Sequence, residues 1–518
     1  MEAARGRHGA LPFALLCGLA AALALGFVAQ TSGLGEAEAV RLDAADRLRG
    51  VADVLAPPGT FGSPTDLPLP ALLAALAALL PVPDPLGARL GSILTLSAAL
   101  GLLAFTLAGR LEAMESGARG AAIESGARGA AIESGARGAA IESGARGAAS
   151  GRLAAASALI CLLASPAALG LAVLVGPDPL VAALGLAALV ACAAPPGPAA
   201  ERLAGLAVAL APLVDAEGLL VAPPLLLLAA ARRRWSLVVA LVVGAGAGAL
   251  LWGLLAGRAT SGDFLGPPPE LRTYFLGERY LGPAPAWRWL PTLLVASTPP
   301  GVLVALAVGL AGALRRARRG CDLTGWLLAA TGGWAAATYL PGGPRGGDLV
   351  GQLPLLTALS ATAGVGLADL LGGRGRALAW VALLLPATGL AAVLEAHPRP
   401  RCWRSPLVGG TAGAERLGLE PAPDLSVAAR DVRLWLDARL PQGASLSSAG
   451  SAWAATHVRR GLLRPDLRAA GRGDFILVAN RPSRVAGEAL ALVEAQVVHR
   501  VQAGPTTLLV VVQRGDGR

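Results

Sequence analysis

The sequence predicts an all-α polytopic membrane bundle of about eleven transmembrane helices, followed by a small α/β domain. Composition is the first reason, because 54% of the 518 residues are hydrophobic, only 15% are charged, and the mean hydropathy is +0.59. A soluble chain of this length cannot bury so much apolar surface, so a multi-pass membrane protein is expected. Apolar runs of bilayer length and a polar C-terminal tail with mixed helix and strand patterns are the other two reasons.

The apolar runs place the transmembrane domain in residues 1–394. Runs near the twenty residues that cross a bilayer predict spans at 10–30, 87–110, 152–175, 179–195, 201–214, 218–231, 235–256, 288–313, 323–341, 348–371 and 377–394. The pair 201–214 and 218–231 is short and interrupted by polar residues, so it forms either two short spans or one re-entrant hairpin. The run 68–80 is too short to span and predicts a helix at the interface or against the bundle.

Arginine placement predicts the orientation of these spans. All 44 basic residues are Arg, and they concentrate in short connections that face inward when the N-terminus is cytoplasmic, as the positive-inside rule requires. The inner connections include 232–234 and 315–319, whereas 31–86, 257–287 and the tail lie outside. Because the arginines follow membrane topology, the net charge of +10 does not indicate a nucleic-acid partner.

Residues 115–150 repeat the nine-residue unit ESGARGAAI four times, the last copy ending in Ser150. Nine residues advance a helix by about 900°, so successive copies lie on opposite faces and no apolar stripe forms. The two glycines in each unit lower helix propensity by about 2 kcal/mol relative to alanine. A flexible cytoplasmic loop is predicted, and a docking or lipid-surface role for its arginines is the alternative.

The tail, residues 395–518, is predicted to be an extracytoplasmic α/β domain. Helical spacing occurs in VAARDVRLWLDARL and GEALALVEAQV, and strand patterns occur in DFILVANRP and TTLLVVVQR. The five Cys and four His residues are scattered along the chain and match no disulfide or metal spacing. No metal site or cofactor is therefore predicted; a divalent cation is possible, but the sequence does not imply one.

Carboxylates close to the membrane are the first candidate catalytic residues, because charge at that depth is costly and often functional. Glu36 and Glu38 follow the first span directly, at its outer end. Asp178 occupies the outer turn between the third and fourth spans. These acids can converge over one cavity, or they can be ordinary solvated loop residues.

The outer loop 257–287 holds the candidate substrate-binding residues. It carries two of the three tyrosines of the chain, Tyr274 and Tyr280, together with Arg272 and Arg279. Guanidinium and phenol groups are the donors that a lipid phosphate requires. Interfacial anchoring by amphipathic side chains is the alternative explanation.

Several motifs recur in an order typical of one enzyme family. An acid follows the first helix at Gly35-Glu36, LPLPALLAALAALL leads into a span that begins GARL, and a Ser165-Pro166 helix precedes Pro177-Asp178-Pro179-Leu180. Further matching segments are 205–235, 275–304, 344–367 and 403–441. In this order they resemble glycosyltransferase family 39, the GT-C-type membrane enzymes that include protein O-mannosyltransferases and lipid A aminoarabinose transferases.

The resemblance implies a GT-C-like transferase of the bacterial inner membrane that uses a polyprenyl-phosphate sugar. The sugar would move with inversion to a hydroxyl of a lipid, glycan or protein acceptor. The implied general base is Glu36, with Glu38 as the substitute. Asp178 would orient the acceptor or share the base function, and Arg272 or Arg279 with Tyr280 would stabilise the departing phosphate.

The sequence departs from the family pattern at three positions. Gly35 stands where the acidic pair begins with Asp, and Asp66 and Asp215 stand where bacterial members often carry Lys. A divergent, non-catalytic member that binds lipid-linked sugar or a partner protein is therefore the alternative function. A transporter is disfavoured, because the sequence has no inverted internal repeat.

Overall fold

A computed structural model of the chain describes residues 2–32, 38, 86–126, 149–174, 177–255, 272–281, 286–319, 322–338, 349, 351–371, 376–422, 425–448, 453–471, 473–482 and 495–514. Four of the predictions lie outside these residues. They concern the apolar run 68–80, the candidate base Glu36, residues 127–148 of the predicted repeat loop, and most of the helix expected at 487–497.

The predicted helical membrane bundle is confirmed. Its helices are α1 (Glu2–Thr31), α2 (Leu86–Gly126), α3 (Ala149–Leu163), α4 (Pro166–Ala172), α5 (Pro177–Ala193), α6 (Pro198–Val214), α7 (Ala222–Ala231), α8 (Trp235–Leu255), α9 (Ala286–Ser297), α10 (Pro300–Arg318), α11 (Asp322–Ala337), α12 (Leu353–Leu371), α13 (Arg376–Ala387) and α14 (Gly389–Ala396). A six-residue 3₁₀ helix, Ala216–Val221, connects α6 to α7.

Among the described residues, six helical segments are long and apolar enough to cross a bilayer. The bent pair α3 and α4, which turns by 84°, can supply a seventh span. Pro177–Ala193 and Gly218–Ala231 are apolar but shorter. These lengths establish a multi-pass membrane protein but do not establish the count of eleven spans.

Two boundaries differ from the predictions. The span expected at 288–313 is two helices, α9 and α10, because Pro299 and Pro300 lack backbone N–H donors and restrict the residue before them. Residues 115–126, expected in the cytoplasmic loop, are helical, because α2 continues through the first repeat unit to Gly126. At 41 residues, α2 is about 60 Å long.

Opposite faces of α1 show how the bundle meets lipid. Ala14, Ala21 and Leu25 are buried against the rest of the bundle, whereas Leu15 and Leu23 are 65% and 66% exposed. Large apolar side chains in such numbers are stable only in contact with lipid. In contrast, 89% of the apolar window of α12 is buried, so α12 lies inside the bundle.

Small residues allow the closest helix contacts. A Cβ atom added at Gly366 of α12 would overlap the carbonyl oxygen of Gly309 in α10, and one added at Gly312 would overlap the carbonyl oxygen of Gly366. In a bilayer, such contacts replace the hydrophobic effect as the main attraction between helices.

A small sheet domain follows the bundle, as predicted. It contains α15 (Gly410–Arg416), α16 (Arg430–Arg439), β3 (Ser445–Ser448), α17 (Trp453–Arg459), β4 (Arg468–Ala469), β5 (Phe475–Ala479), β6 (Ala495–Ala503) and β7 (Thr506–Arg514). The strand order is β4-β3-β5-β7-β6, with β3 parallel to β4 and β5 and the other pairs antiparallel.

The strand predictions for this domain coincide with β5 and β7, and the first predicted helix coincides with α16. The second predicted helix is wrong at its C-terminal end, because Ala495–Val497 belong to β6. Pairing with β7 supplies the backbone hydrogen bonds of these residues.

Two contacts join the C-terminal domain to the bundle end. The backbone N–H of Ser405 donates to the carbonyl oxygen of Ala296 at the end of α9 (2.7 Å). A two-stranded hairpin, β1 (Arg272–Phe275) and β2 (Glu278–Leu281), turns at Gly277, whose N–H donates to the carbonyl oxygen of Gly418 (3.1 Å). The bundle end beneath this domain is therefore where chain segments distant in sequence meet.

Candidate active site

A buried ion pair joins Glu38 to the start of α2. Arg89 Nε donates to Glu38 Oε1 at 3.0 Å, and Arg89 Nη2 donates to Glu38 Oε2 at 2.9 Å. Both residues are 1% exposed. This two-point geometry is the strongest form of carboxylate recognition by arginine, so Glu38 is committed to holding a guanidinium.

Arg89 also closes the end of α1. Its Nη1 donates to the carbonyl oxygen of Ala29 (2.8 Å) and to Ser32 Oγ (2.8 Å). The last carbonyl groups of a helix have no partner within the helix, and a cation there is favoured by the helix dipole. One side chain thus ties the end of α1, the acidic loop residue and the start of α2 together.

Asp178 lies in the first turn of α5 and is 9% exposed. Its Oδ2 accepts a hydrogen bond from the backbone N–H of Gly351 at 3.0 Å. Gly351 has a φ of +81°, a left-handed conformation that a residue with a Cβ adopts only at a cost. The carboxylate of Asp178 is therefore buried and held in place by a backbone N–H donor from the segment before α12.

The hairpin residues occupy a more open position. Tyr274 pairs with Arg279 across the two strands, and Arg279 is exposed. The hydroxyl of Tyr280 donates to the carboxylate of Glu278, and this hydrogen bond raises the pKa of Tyr280. Arg272 is the first residue of β1, and its side chain lies outside the described part of the structure.

An arginine-lined cleft lies between the bundle end and the C-terminal domain. We call it the arginine cleft; its enclosed space is about 10 Å³, which is room for about one water molecule. Its lining residues are Ser32, Arg89, Gly170, Val173, Leu174, Pro398, Arg399, Pro400, Arg401, Cys402 and Ser426. Sequence reasoning assigned no role to Arg89, Arg399 or Arg401. The one signal in the sequence concerned Arg89, which lies in the first turn of the apolar span 87–110.

Of the three predicted acids, Glu38 and Asp178 are described, and each lies near a residue that lines the arginine cleft. Glu38 bonds directly to the cleft residue Arg89. Leu174, another cleft residue, precedes Asp178 by four residues, which span at most about 14 Å. The structure gives no contact between Tyr280 or Arg279 and this cleft, within the residues it describes. Glu36 lies outside those residues.

Among the described residues, no three His, Cys, Asp or Glu side chains are grouped closely enough to hold a metal ion.

Comparison with known proteins identifies the fold. No protein-family model matches the sequence, and no curated protein does. The apo structure of ArnT from Cupriavidus metallidurans is similar over 96% of this chain and 97% of its own, with 13% identity and a TM-score of 0.50. The same protein bound to undecaprenyl phosphate has 14% identity over the same coverage and a TM-score of 0.48.

A third solved structure is the apo oligosaccharyltransferase of Archaeoglobus fulgidus. It has 14% identity and a TM-score of 0.42, and the match covers 83% of this chain and 58% of that one. At these identities the likeness concerns architecture alone. The chain therefore has the fold of ArnT, the GT-C fold that its motif order predicted.

Proposed function

We propose that the protein is an integral-membrane glycosyltransferase that moves a sugar from a polyprenyl-phosphate donor to an acceptor hydroxyl, with inversion. The observation that carries the proposal is the buried carboxylate of Asp178, oriented by the backbone N–H of Gly351, in the helix that follows the cleft residue Leu174. An acid for the acceptor proton and cations for the departing phosphate are the two groups that this transfer needs. ArnT, which shares the fold, has been solved in complex with undecaprenyl phosphate, the lipid that would remain after a sugar has left such a donor.

The reaction would proceed by in-line displacement. The acceptor oxygen forms a bond to the anomeric carbon while the bond from that carbon to the phosphate oxygen breaks. A carboxylate takes the acceptor proton, and polyprenyl phosphate leaves with the bonding electrons. We assign the base to Glu36, on its sequence position, and assign Asp178 to orient the acceptor or share the base role.

Glu38 suits a different role. Both of its oxygens accept hydrogen bonds from Arg89, and the guanidinium balances its negative charge. Protonation of Glu38 would leave the buried guanidinium of Arg89 without its counterion, which is costly. We propose that Glu38 is a positioning residue that holds Arg89.

Orientation follows from the same reasoning. Glu38, Asp178 and the C-terminal domain share one end of the bundle, and the arginine-rich connections 232–234 and 315–319 fall at the other. The positive-inside rule then supports a cytoplasmic N-terminus and an active site and C-terminal domain, 395–518, on the outer face of a bacterial inner membrane.

Sugar transfer in membranes tests this function. Membranes that contain the wild-type chain, Asp178→Asn or Glu36→Gln would receive labelled polyprenyl-phosphate sugars, and label would be followed into lipid, glycan and protein fractions. The amide oxygen introduced by Asp178→Asn can still accept the hydrogen bond from Gly351, so the fold is retained and a loss of about 10²-fold or more reports chemistry.

Glu201→Gln is the matched control, because Glu201 accepts from Ser236 at the start of α8, away from this site. Equal transfer by all variants would refute the assignment of the acids. Donor binding by a chain that transfers no sugar would support the alternative, a non-catalytic protein that binds lipid-linked sugar.

A further inference from the structure

The exposed residues of α10 lie on one face of the helix. They occupy positions 304, 307, 308, 311, 314, 315 and 318, which recur at the three- and four-residue spacing of a single helical face. The first five positions are apolar, and Val304 and Leu314 are 50% and 47% exposed. The opposite face, which includes Gly309 and Gly312, packs against α12. We call the exposed face the α10 stripe; in a bilayer its apolar part is in contact with lipid.

The apolar part of the α10 stripe has the depth of one lipid leaflet. From Val304 to Leu314 the helix rises by about 15 Å, which is half of a hydrocarbon core about 30 Å thick. The start of α10 lies near the C-terminal domain, because Ala296 of the preceding helix α9 accepts a hydrogen bond from Ser405 (2.7 Å). The arginine end of the stripe therefore meets the headgroups of the opposite leaflet.

The four arginines at the end of α10 divide between two faces. Arg316 Nη1 donates to Asp369 Oδ1 of α12 at 3.2 Å, and Arg319 Nη1 lies 3.8 Å from Asp369 Oδ2. Arg315 and Arg318 continue the α10 stripe instead. Both are exposed, and the described residues offer neither of them an acidic partner. Two guanidinium groups whose charge is not balanced therefore stand directly beyond the apolar part of the stripe.

Two general effects favour arginine at this end of the helix. The helix dipole favours cations near the last carbonyl groups, and arginine beside a span fixes its orientation. Both effects act on all four arginines, and neither balances the charge of Arg315 and Arg318. A phosphodiester group can do so, because guanidinium donates two parallel hydrogen bonds to phosphate oxygens. An anionic phospholipid supplies this group at headgroup depth while its acyl chain covers the apolar part of the stripe.

We infer that the α10 stripe binds an anionic phospholipid, such as phosphatidylglycerol, in the leaflet opposite the C-terminal domain. Arg315 and Arg318 bind its phosphate, and Val304, Val308 and Leu314 contact an acyl chain. A zwitterionic phospholipid fits less well, because its choline group brings a positive charge beside the two guanidinium groups. The bound lipid is a structural ligand, and such a site would exist whether or not the protein transfers a sugar.

The experiment measures lipid binding to the purified full-length protein in non-ionic detergent micelles by native mass spectrometry. The probes are phosphatidylglycerol, phosphatidylcholine and inorganic phosphate. The variants are Arg315→Gln/Arg318→Gln and Arg318→Gln alone; both arginines are exposed, so the helix packing is retained. Arg416→Gln/Arg439→Gln is the matched control, because it removes the same charge from exposed positions of α15 and α16.

Wild type should bind phosphatidylglycerol more tightly than phosphatidylcholine. The loss of two arginines at headgroup depth predicts about 10- to 30-fold weaker binding of phosphatidylglycerol, and Arg318→Gln alone predicts about 5-fold weaker binding. The control pair should bind phosphatidylglycerol like wild type, and inorganic phosphate should bind far more weakly than the lipid.

If the double variant does not fold, Arg318→Gln decides the question. Wild-type affinity for phosphatidylglycerol in these variants would overturn the inference. An equal loss in the control pair would also overturn it, because net charge alone would then attract the lipid. Phosphatidylcholine binding as tightly as phosphatidylglycerol would refute recognition by charge. Inorganic phosphate binding through Arg315 and Arg318 with the affinity of phosphatidylglycerol would refute the lipid assignment.

Discussion

Glu38→Gln is the most informative single change, because it distinguishes a positioning residue from a base. Both partners of the Glu38–Arg89 pair are 1% exposed, so the neutral Gln leaves a buried guanidinium charge without its counterion. Removing one partner of a buried ion pair costs about 3–5 kcal/mol. Arg89→Met should cost a similar amount, since it leaves the buried carboxylate of Glu38.

The double variant Glu38→Leu/Arg89→Met tests the structural role of Glu38, because its loss of unfolding free energy can be compared with the sum of the two single losses. Replacing a whole buried pair by apolar residues is often close to neutral. Here the carbonyl oxygen of Ala29 and the hydroxyl of Ser32 also lose a donor, each at about 1 kcal/mol. We expect the double variant to lose about 1–3 kcal/mol, although the two single losses sum to about 6–10 kcal/mol.

The assay is reversible unfolding of the purified protein in mixed micelles with increasing sodium dodecyl sulfate. Strong coupling between the two positions supports the structural pair. If Glu38→Gln changed the free energy of unfolding by less than about 0.5 kcal/mol and still abolished sugar transfer, Glu38 would act in the chemistry and this reasoning would be wrong.

Three further predictions concern the scaffold. Gly366→Ala should lower the free energy of unfolding by about 1–3 kcal/mol, because the new methyl group would overlap Gly309. Gly246→Ala is the control, because Gly246 has open space around it, and it should cause no such loss. A comparable loss in both variants would contradict the packing. Burial lowers the pKa of His457 to about 3, so between about pH 6.5 and pH 3 only the unfolded chain binds a proton at this residue. The free energy of unfolding should therefore fall by about 1.4 kcal/mol per pH unit over this range. His457→Phe should flatten this slope, and an unchanged slope would refute the assignment. Arg233 has a φ of +56° at the end of α7, a conformation that glycine adopts more readily. Arg233→Gly should therefore raise the free energy of unfolding by about 1 kcal/mol in the same assay. A lower free energy of unfolding would show that the arginine side chain is needed.

Helix positions were predictable where hydrophobicity alone determines them. The ends of α5, α8 and α12 lie within about five residues of the predicted spans, because long apolar runs must form helices in a bilayer. The break between α9 and α10 was also readable in principle, since Thr298-Pro299-Pro300 interrupts an otherwise apolar run.

The candidate site was predictable only in part. Asp178 was predicted as a candidate because an acid beside apolar runs is conspicuous. The partner of Glu38 was not, because Arg89 is 51 residues away and nothing local in the sequence links them. Arg399 and Arg401 were missed for the same reason: their proximity to the bundle end depends on how the C-terminal domain docks, which hydrophobic periodicity does not encode.

The central claim is transfer from a lipid-linked donor with inversion, and one measurement tests it most directly. The purified wild-type chain in nanodiscs would receive a polyprenyl-phosphate sugar of known anomeric configuration with a membrane extract as the source of acceptors, and the product would be analysed by nuclear magnetic resonance. We expect a new glycosidic bond of the opposite configuration, absent with Asp178→Asn. Retention of configuration, or no transfer from any polyprenyl-phosphate sugar by a folded wild-type protein, would contradict the account.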